Sequence, residues 1–227
     1  MNDPFHRGNW HHRRGSARLH DMPAPPFIRW LSLALAAWLL PAAAWASMHT
    51  YRYDLVHSQI LFSIDHDGYS RPFGRLHIVH GWLRFDDDDW SRSATVLDID
   101  LGGVDMGDAK WNKAVCGHAL LDCSRYRYAH FVSTSVIRKD ATHGVLHGTL
   151  TMHGVSRPIS IPFRVNRIAR TIFGLHEVAG FSATASLDRT DFGINAFTHA
   201  IGHGVAIWLE IEAIRDDHLN TTSEASP

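Results

Sequence analysis

From Tyr51 onward, apolar and polar residues alternate along the chain with a period of two. Ile60, Phe62 and Ile64 share one register, and Leu61, Ser63 and Asp65 the other. Leu97, Ile99 and Leu101 alternate with Asp98 and Asp100. Val205, Ile207, Leu209 and Ile211 alternate with Ala206, Trp208, Glu210 and Glu212. Val145 to Met152 is a further strand candidate, and Ile159, Ile161, Phe163 and Val165 form one face of another in spite of Pro162. Each run predicts a half-buried strand with one face on an apolar interior. Turn signals at Asp67-Gly68, Gly102-Gly103, His143-Gly144, Gly154 and Gly202 to Gly204 separate them. Many short strands punctuated in this way predict an antiparallel sandwich or barrel. The strands do not alternate with helical segments, which argues against a parallel α/β sheet.

One segment departs from the pattern. Trp111, Val115 and Leu121 recur near helical spacing, which predicts a short helix over Asp108 to Leu121, weakened by Gly117.

Residues 1–46 read differently again. Arg29 precedes the ten-residue apolar run Leu31 to Leu40, Pro41 breaks it, and Ala44-Trp45-Ala46 supplies a small-x-small cleavage pattern. This predicts a secretory signal peptide cleaved after Ala46. The run is too short for a hydrocarbon core that takes about 20 apolar residues to cross. The polar stretch Met1 to Asp21 makes an unusually long leader, and Met22 would be a more typical start. The expected organisation is a leader over 1–46, one domain over 47–217 and a disordered tail over 218–227, with the mature chain exported.

Composition narrows the function classes. Twenty-two basic and 23 acidic residues give a net charge of −1, which excludes a strongly basic nucleic-acid binder. Two cysteines exclude a disulfide-dense scaffold and a four-cysteine zinc module. In one continuous helix Cys116 and Cys123 would stand about 10 Å apart, too far to bridge. A chain break after Leu121 would allow a disulfide in an oxidising compartment. Both states, bridged and free, remain open at this point.

Eighteen histidines suggest metal at three spacings: His77 with His80, His143 with His147, and His199 with His203. A zinc site needs three or four converging ligands. No pair has an evident carboxylate or thiolate to complete it, so the histidines read as solvated or hydrogen-bonded, with a metal-assisted enzyme as the rival reading. Asp86 to Asp89 reads as a solvated acidic turn, and Asp188-Arg189-Thr190-Asp191 as a turn held by a salt bridge. No nucleophile elbow, P-loop or dinucleotide fingerprint occurs, and no catalytic residue is assigned.

Several segments together resemble the YceI-like family of periplasmic polyisoprenoid-binding proteins. They are YDLVHSQILFSIDH (Tyr53 to His66), GRLHIVHGWLRFD (Gly74 to Asp86), WNKAVCGHALLD (Trp111 to Asp122), YAHFVSTSV (Tyr128 to Val136), GTLTMHGVSRPISIPF (Gly148 to Phe163) and GFSATASLDRTDFGI (Gly180 to Ile194). Asn112 stands where the family usually has Asp, Arg127 where it has Pro, and the two cysteines fall outside its usual pattern.

The resemblance implies an all-β fold: a lipocalin-like antiparallel β-barrel of about eight strands, with one short helix near an opening. It also implies a long apolar guest inside, a polyisoprenoid or isoprenoid quinone, with no cofactor required. The partners would be that lipid and a membrane redox protein receiving quinone, with no nucleic acid, and the chain would be a monomer or homodimer. An eight-stranded barrel has room inside for side chains or one small ligand. Alternation then assigns Ile60, Phe62, Ile64, Leu97, Ile99, Leu101, Ile161, Phe163, Val205, Ile207 and Leu209 to the interior. Phe131, Phe181, Phe192, Trp82 and Trp111 are additional aromatic candidates, and His66 is placed at a mouth, within reach of a quinone carbonyl.

Overall fold

The alternating segments form nine strands in the structure, a computed structural model that describes residues 48–221. They are β1 (His49–Tyr53), β2 (Gln59–His66), β3 (Phe73–Phe85), β4 (Ala94–Asp105), β5 (Tyr128–Arg138), β6 (His143–Met152), β7 (Val155–Arg170), β8 (Glu177–Asp188) and β9 (Ile201–Arg215). All pairings are antiparallel, in the order β1-β3-β2-β9-β8-β7-β6-β5-β4, and β3 also pairs with β4. That last pairing closes the sheet into a barrel.

Eight staves make the circuit, because β1 and β2 share one. β1 pairs with β3 at Leu83 and with β9 at Ala213, while β2 pairs with β3 at Leu76 and with β9 at Leu209. The two are halves of a single stave, broken at 54–58. Asp54 organises the break: its Oδ1 accepts the N–H groups of Val56 and His57, and its Oδ2 lies 2.9 Å from His57 Nδ1. Ser58 repairs the ladder by donating its hydroxyl to the Glu212 carbonyl at 3.0 Å.

Bulges curve the wall and reverse its inward register. On β3 the shift between Ile78 and His80 is followed by Gly81 at φ +143, where an added Cβ would stand 2.3 Å from the Val96 carbonyl oxygen. Only glycine fits so close a crossing. Gly148 makes room in the same way for the Phe131 ring, 2.3 Å from where a Cβ would lie.

The two ends of the barrel differ. At one, the turn between β3 and β4 folds Trp90 inward, stacked on Phe163 at 5.5 Å and tilted against Phe85 at 5.5 Å, with Phe85 against Phe181 at 5.3 Å. Asp86, expected in a solvated acidic turn, is instead fully buried. It accepts the N–H groups of Asp88 and Asp89 and meets Arg92 at 3.2 Å. A carboxylate that satisfies its own turn's orphan donors is a structural part, and only the rest of the run faces water.

At the other end the chain between β4 and β5 carries α1 (Ala109–Val115), the one α-helix among the described residues. Asp108 caps it by accepting from Lys110 and Trp111. The helix is half the expected length. It stops at Cys116, and the chain turns through Gly117, whose N–H and carbonyl make turn hydrogen bonds to Ala114, Leu120 and Asp122. The turn brings Cys123 back to Cys116, and the two are bridged. Both sulfurs rest against the Leu101 carbonyl, at 3.4 and 3.3 Å, which ties the excursion to β4.

The two departures from the family pattern also have work at this end. The Asn112 amide oxygen accepts the Met106 N–H at 2.6 Å, and Arg127 grips the Asp100 carboxylate through two nitrogens at 2.9 and 3.1 Å. Closing so short a loop by a disulfide is worth roughly 2 kcal/mol. Cys116→Ser combined with Cys123→Ser should therefore lower the melting temperature by about 5 °C in calorimetry. An unchanged melting point would show that the bridge does not support the fold.

The leader assigned to 1–46 and the tail beyond Thr221 lie outside the described residues. No helix among the described residues is long and apolar enough to cross a membrane.

Candidate functional site

The inward side chains do not fill the barrel. They enclose a cavity of about 180 Å³ that runs from the Trp90 end toward the helix end. A polar pocket needs only about 10–15 Å³ to hold a water, whereas an apolar one of about 150 Å³ stays dry and takes a hydrocarbon guest. The lining places this cavity in the second class.

β2 supplies Ile60 and Phe62, and β4 supplies Leu97, Ile99 and Leu101. Phe131 comes from β5, Ile161 and Phe163 from β7, Phe181 from β8, and Ile207 and Leu209 from β9. Nine of these stand where alternation puts them, and Phe131 and Phe181 are two of the additional aromatic candidates.

Three polar residues line the cavity: Tyr53, Ser93 and Thr95. Tyr53 and Thr95 bond to each other through their hydroxyls, and the Thr95 hydroxyl donates to the Trp82 carbonyl at 2.7 Å. Ser93 Oγ accepts the Asp86 N–H at 3.0 Å. Burial pushes the Tyr53 phenol up to about 12, so it stays neutral and a donor across the working pH range.

Six expected site residues lie outside the cavity lining. Ile64 and Val205 are register partners two pairs beyond Phe62 and Ile207, next to the bulge that ends β2's regular pairing, and lie outside the lining. His66 is exposed at the helix end, the kind of mouth position expected for it, 5.9 Å from the ring of the half-buried Trp111, and neither lines the cavity. Trp82 follows the β3 bulge, which puts Leu83 and Phe85 inward instead; the Trp82 ring lies under the Arg84 guanidinium at 5.8 Å. Phe192 is buried in the 3-10 turn after β8 and packs the barrel end.

Sequence reasoning missed other wall residues. Leu146, Leu150 and Ile159 continue faces it had recognised, and β8 contributes Ala183, Ala185 and Leu187. Alanine carries little hydropathy signal, yet its small side chain is what leaves space in the wall.

The histidine pairs gain no third ligand. His143 bonds to Asp140 at 3.0 Å and His147 to Ser160 at 2.8 Å. Among the described residues one group of potential ligands does converge, Asp54, His57 and Glu212, with ligand atoms within 4.8 Å of one another. None of its members lines the barrel cavity. The hydrogen bond and charge of Asp54 raise the His57 pKa, and the two side chains meet at 2.9 Å in the break of the stave. The Asp188 to Asp191 stretch is also held differently from expectation. Arg189 is buried and donates to the carbonyls of Ile194, Ile201 and Gly202 at 2.6, 2.9 and 2.8 Å, with no carboxylate involved.

A closed antiparallel barrel around an apolar cavity defines a lipocalin-like architecture. Residues 51–213 match the YceI-like domain, and the chain belongs to the YceI-like family. A UPF0312 protein of Vibrio cholerae is 31% identical over 165 residues, covering 72% of this chain and 87% of the relative. A UPF0312 protein of Shewanella putrefaciens is 28% identical over 177 residues, with 78% and 92% covered. The crystal structure of Burkholderia cenocepacia BcnA superposes with a TM-score of 0.63 at 19% identity, covering 70% of this chain and 98% of BcnA. A polyisoprenoid-binding domain from Saccharophagus degradans superposes with a TM-score of 0.54 at 14% identity, covering 73% and 98%. At these identities the solved structures establish the shared fold.

Proposed function

We propose that this protein is an exported, non-enzymatic carrier or scavenger that holds a long-chain apolar lipid, a polyisoprenoid or isoprenoid quinone, inside its barrel in the periplasm. The observation that supports this reading is the cavity: about 180 Å³ walled by aliphatic and aromatic side chains, with its three polar residues already hydrogen-bonded in the wall. Such a space suits hydrocarbon better than a polar substrate, and its three hydroxyls have no histidine, lysine or carboxylate beside them in the lining. The polyisoprenoid-binding domain of Saccharophagus degradans, which shares the fold, adds support for the class of guest.

The driving force is burial of hydrocarbon. About 400 Å² of ligand surface at ~25 cal/mol per Å² yields roughly 10 kcal/mol before association costs. After those costs the affinity is expected in the micromolar to nanomolar range. No cofactor is required, and the delivery of quinone to a membrane redox protein is the finer form of the same reading.

Native mass spectrometry and organic extraction of the purified protein test it. One polyprenol or quinone per barrel is expected. Stoichiometric zinc without lipid, together with no uptake of added polyprenol, would overturn the proposal in favour of the metal-assisted alternative.

A further inference from the structure

The hairpin between β7 and β8 ends in Ile172, Phe173, Gly174 and Leu175, at the end of the barrel opposite the helix. Its three large apolar side chains are 83%, 79% and 74% exposed. The tip is nonetheless a defined turn. The Thr171 N–H donates to the His176 carbonyl at 2.9 Å, and the Phe173 N–H to the Thr171 hydroxyl at 3.1 Å. Leu175 sits at φ +56, a conformation that glycine or asparagine adopts at less cost. Local turn chemistry and exposure to water both favour polar residues here, and the sequence places hydrophobic ones.

The approach to the tip is cationic. Arg164, Arg167 and Arg170 are exposed on β7, and none of the three guanidinium groups forms a hydrogen bond or ion pair among the described residues. No carboxylate occurs between Arg164 and His176, and the next acid, Glu177, is already engaged by the Tyr51 hydroxyl and Arg215. Glu210 and Glu212 stand across an outer groove from Arg167 and Arg170, but Glu210 accepts from Ser182 and Glu212 belongs with Asp54 and His57. The acidic run Asp86 to Asp89 lies on the β3–β4 turn, which the strand order puts diametrically across the barrel.

We propose that the β7–β8 tip is a membrane-docking element, in which Ile172, Phe173 and Leu175 enter the interfacial region of a bilayer while Arg167 and Arg170 meet anionic lipid headgroups. A four-residue finger is too small for a protein interface, which needs about 800 Å² from each partner. A fluid bilayer closes around a protruding finger, and apolar side chains backed by basic ones are the composition of interfacial anchors. The acidic turn on the far side is repelled by the same surface, so the barrel docks tilted onto its β7–β8 edge. The inference extends the carrier reading, since a lipid cargo resides in membranes, but docking itself does not require a loaded cavity.

The test is co-sedimentation of the purified protein with vesicles of phosphatidylglycerol and phosphatidylcholine, and with vesicles of phosphatidylcholine alone. The parent protein is expected to bind the anionic vesicles, more weakly as salt rises. Ile172→Ser, Phe173→Ser and Leu175→Ser together should lower binding at least tenfold with melting temperature and extracted lipid unchanged. Arg167→Gln with Arg170→Gln should abolish the preference for anionic vesicles. Equal binding by the triple variant, or no binding by the parent, overturns the proposal. So does a dimer that dissociates in the triple variant without vesicle binding, which would make a second copy the occupant. Vesicle binding that needs the tip, in a protein that neither carries nor takes up polyprenol or quinone, supports docking and overturns the carrier reading instead.

Discussion

Ala185→Trp should weaken lipid binding about 100-fold while leaving the barrel more stable than the empty parent. Ala185 lies on β8 opposite Ile207, and both line the cavity. An indole there occupies the space a guest would take. Displacing about 110 Å² of ligand contact, at ~25 cal/mol per Å², costs near 3 kcal/mol, or about 100-fold in affinity. Stability moves the other way. A void of about 180 Å³ costs the empty barrel about 4 kcal/mol at 24 cal/mol per Å³, and filling part of it returns part of that. Titration with a fluorescent polyprenol analogue reads the first effect, and thermal melting of the delipidated protein reads the second. Opposite signs separate a blocked cavity from a damaged fold. Undiminished uptake by a well-folded variant would place the guest outside the barrel.

Arg189→Met should destabilise the protein by about 3–5 kcal/mol, roughly 10 °C in melting temperature. The methionine keeps the packing volume but removes the donors to the Ile194, Ile201 and Gly202 carbonyls. Each buried carbonyl left without a partner costs about 1–3 kcal/mol. Those three carbonyls belong to the connection that starts β9, so the loss loosens the whole β8–β9 crossover. Arg189→Lys should recover little, because an ammonium on a flexible stem cannot reproduce the planar fork. Urea unfolding of both variants decides the matter. A lysine variant within about 1 kcal/mol of the parent would show that charge, rather than fork geometry, holds the turn.

The two cases bear on what the sequence could reveal. The face of β9 was legible because Ile207, Leu209 and Ile211 keep one parity throughout, and the same holds for Leu97, Ile99 and Leu101 on β4. β3 and β5 were not legible to the same degree. On β3 the cavity takes Leu76 before the bulge and Leu83 and Phe85 after it, and on β5 it takes Phe131 before the shift at Ser133 and Val136 after. A bulge adds one residue and exchanges the two faces, and nothing in a period-two pattern marks where that happens. Trp82, an aromatic candidate by residue type, falls outside the lining for this reason. The helix was found in the right place but drawn to twice its length, because the apolar spacing continues through Leu121 while the backbone turns at Gly117. Arg189 was read as half of a salt bridge because a neighbouring Asp suggests one, whereas its partners are backbone groups that leave no trace in the sequence. The matching family segments and the alternation agree on the barrel, and each locates the cavity only as closely as the bulges allow.

The scarcity of polar groups in the wall has a consequence for selectivity. Tyr53, Thr95 and Ser93 each already hold a hydrogen bond within the wall, and the other lining side chains are hydrocarbon or thioether. A hydroxyl or carbonyl drawn inward away from these three would surrender its water without replacement, at about 2–7 kcal/mol apiece. The barrel thus sorts molecules by what they lack. It acts as a sieve for uninterrupted hydrocarbon, gauging girth and length, and whatever polar terminus a guest carries must remain at the threshold.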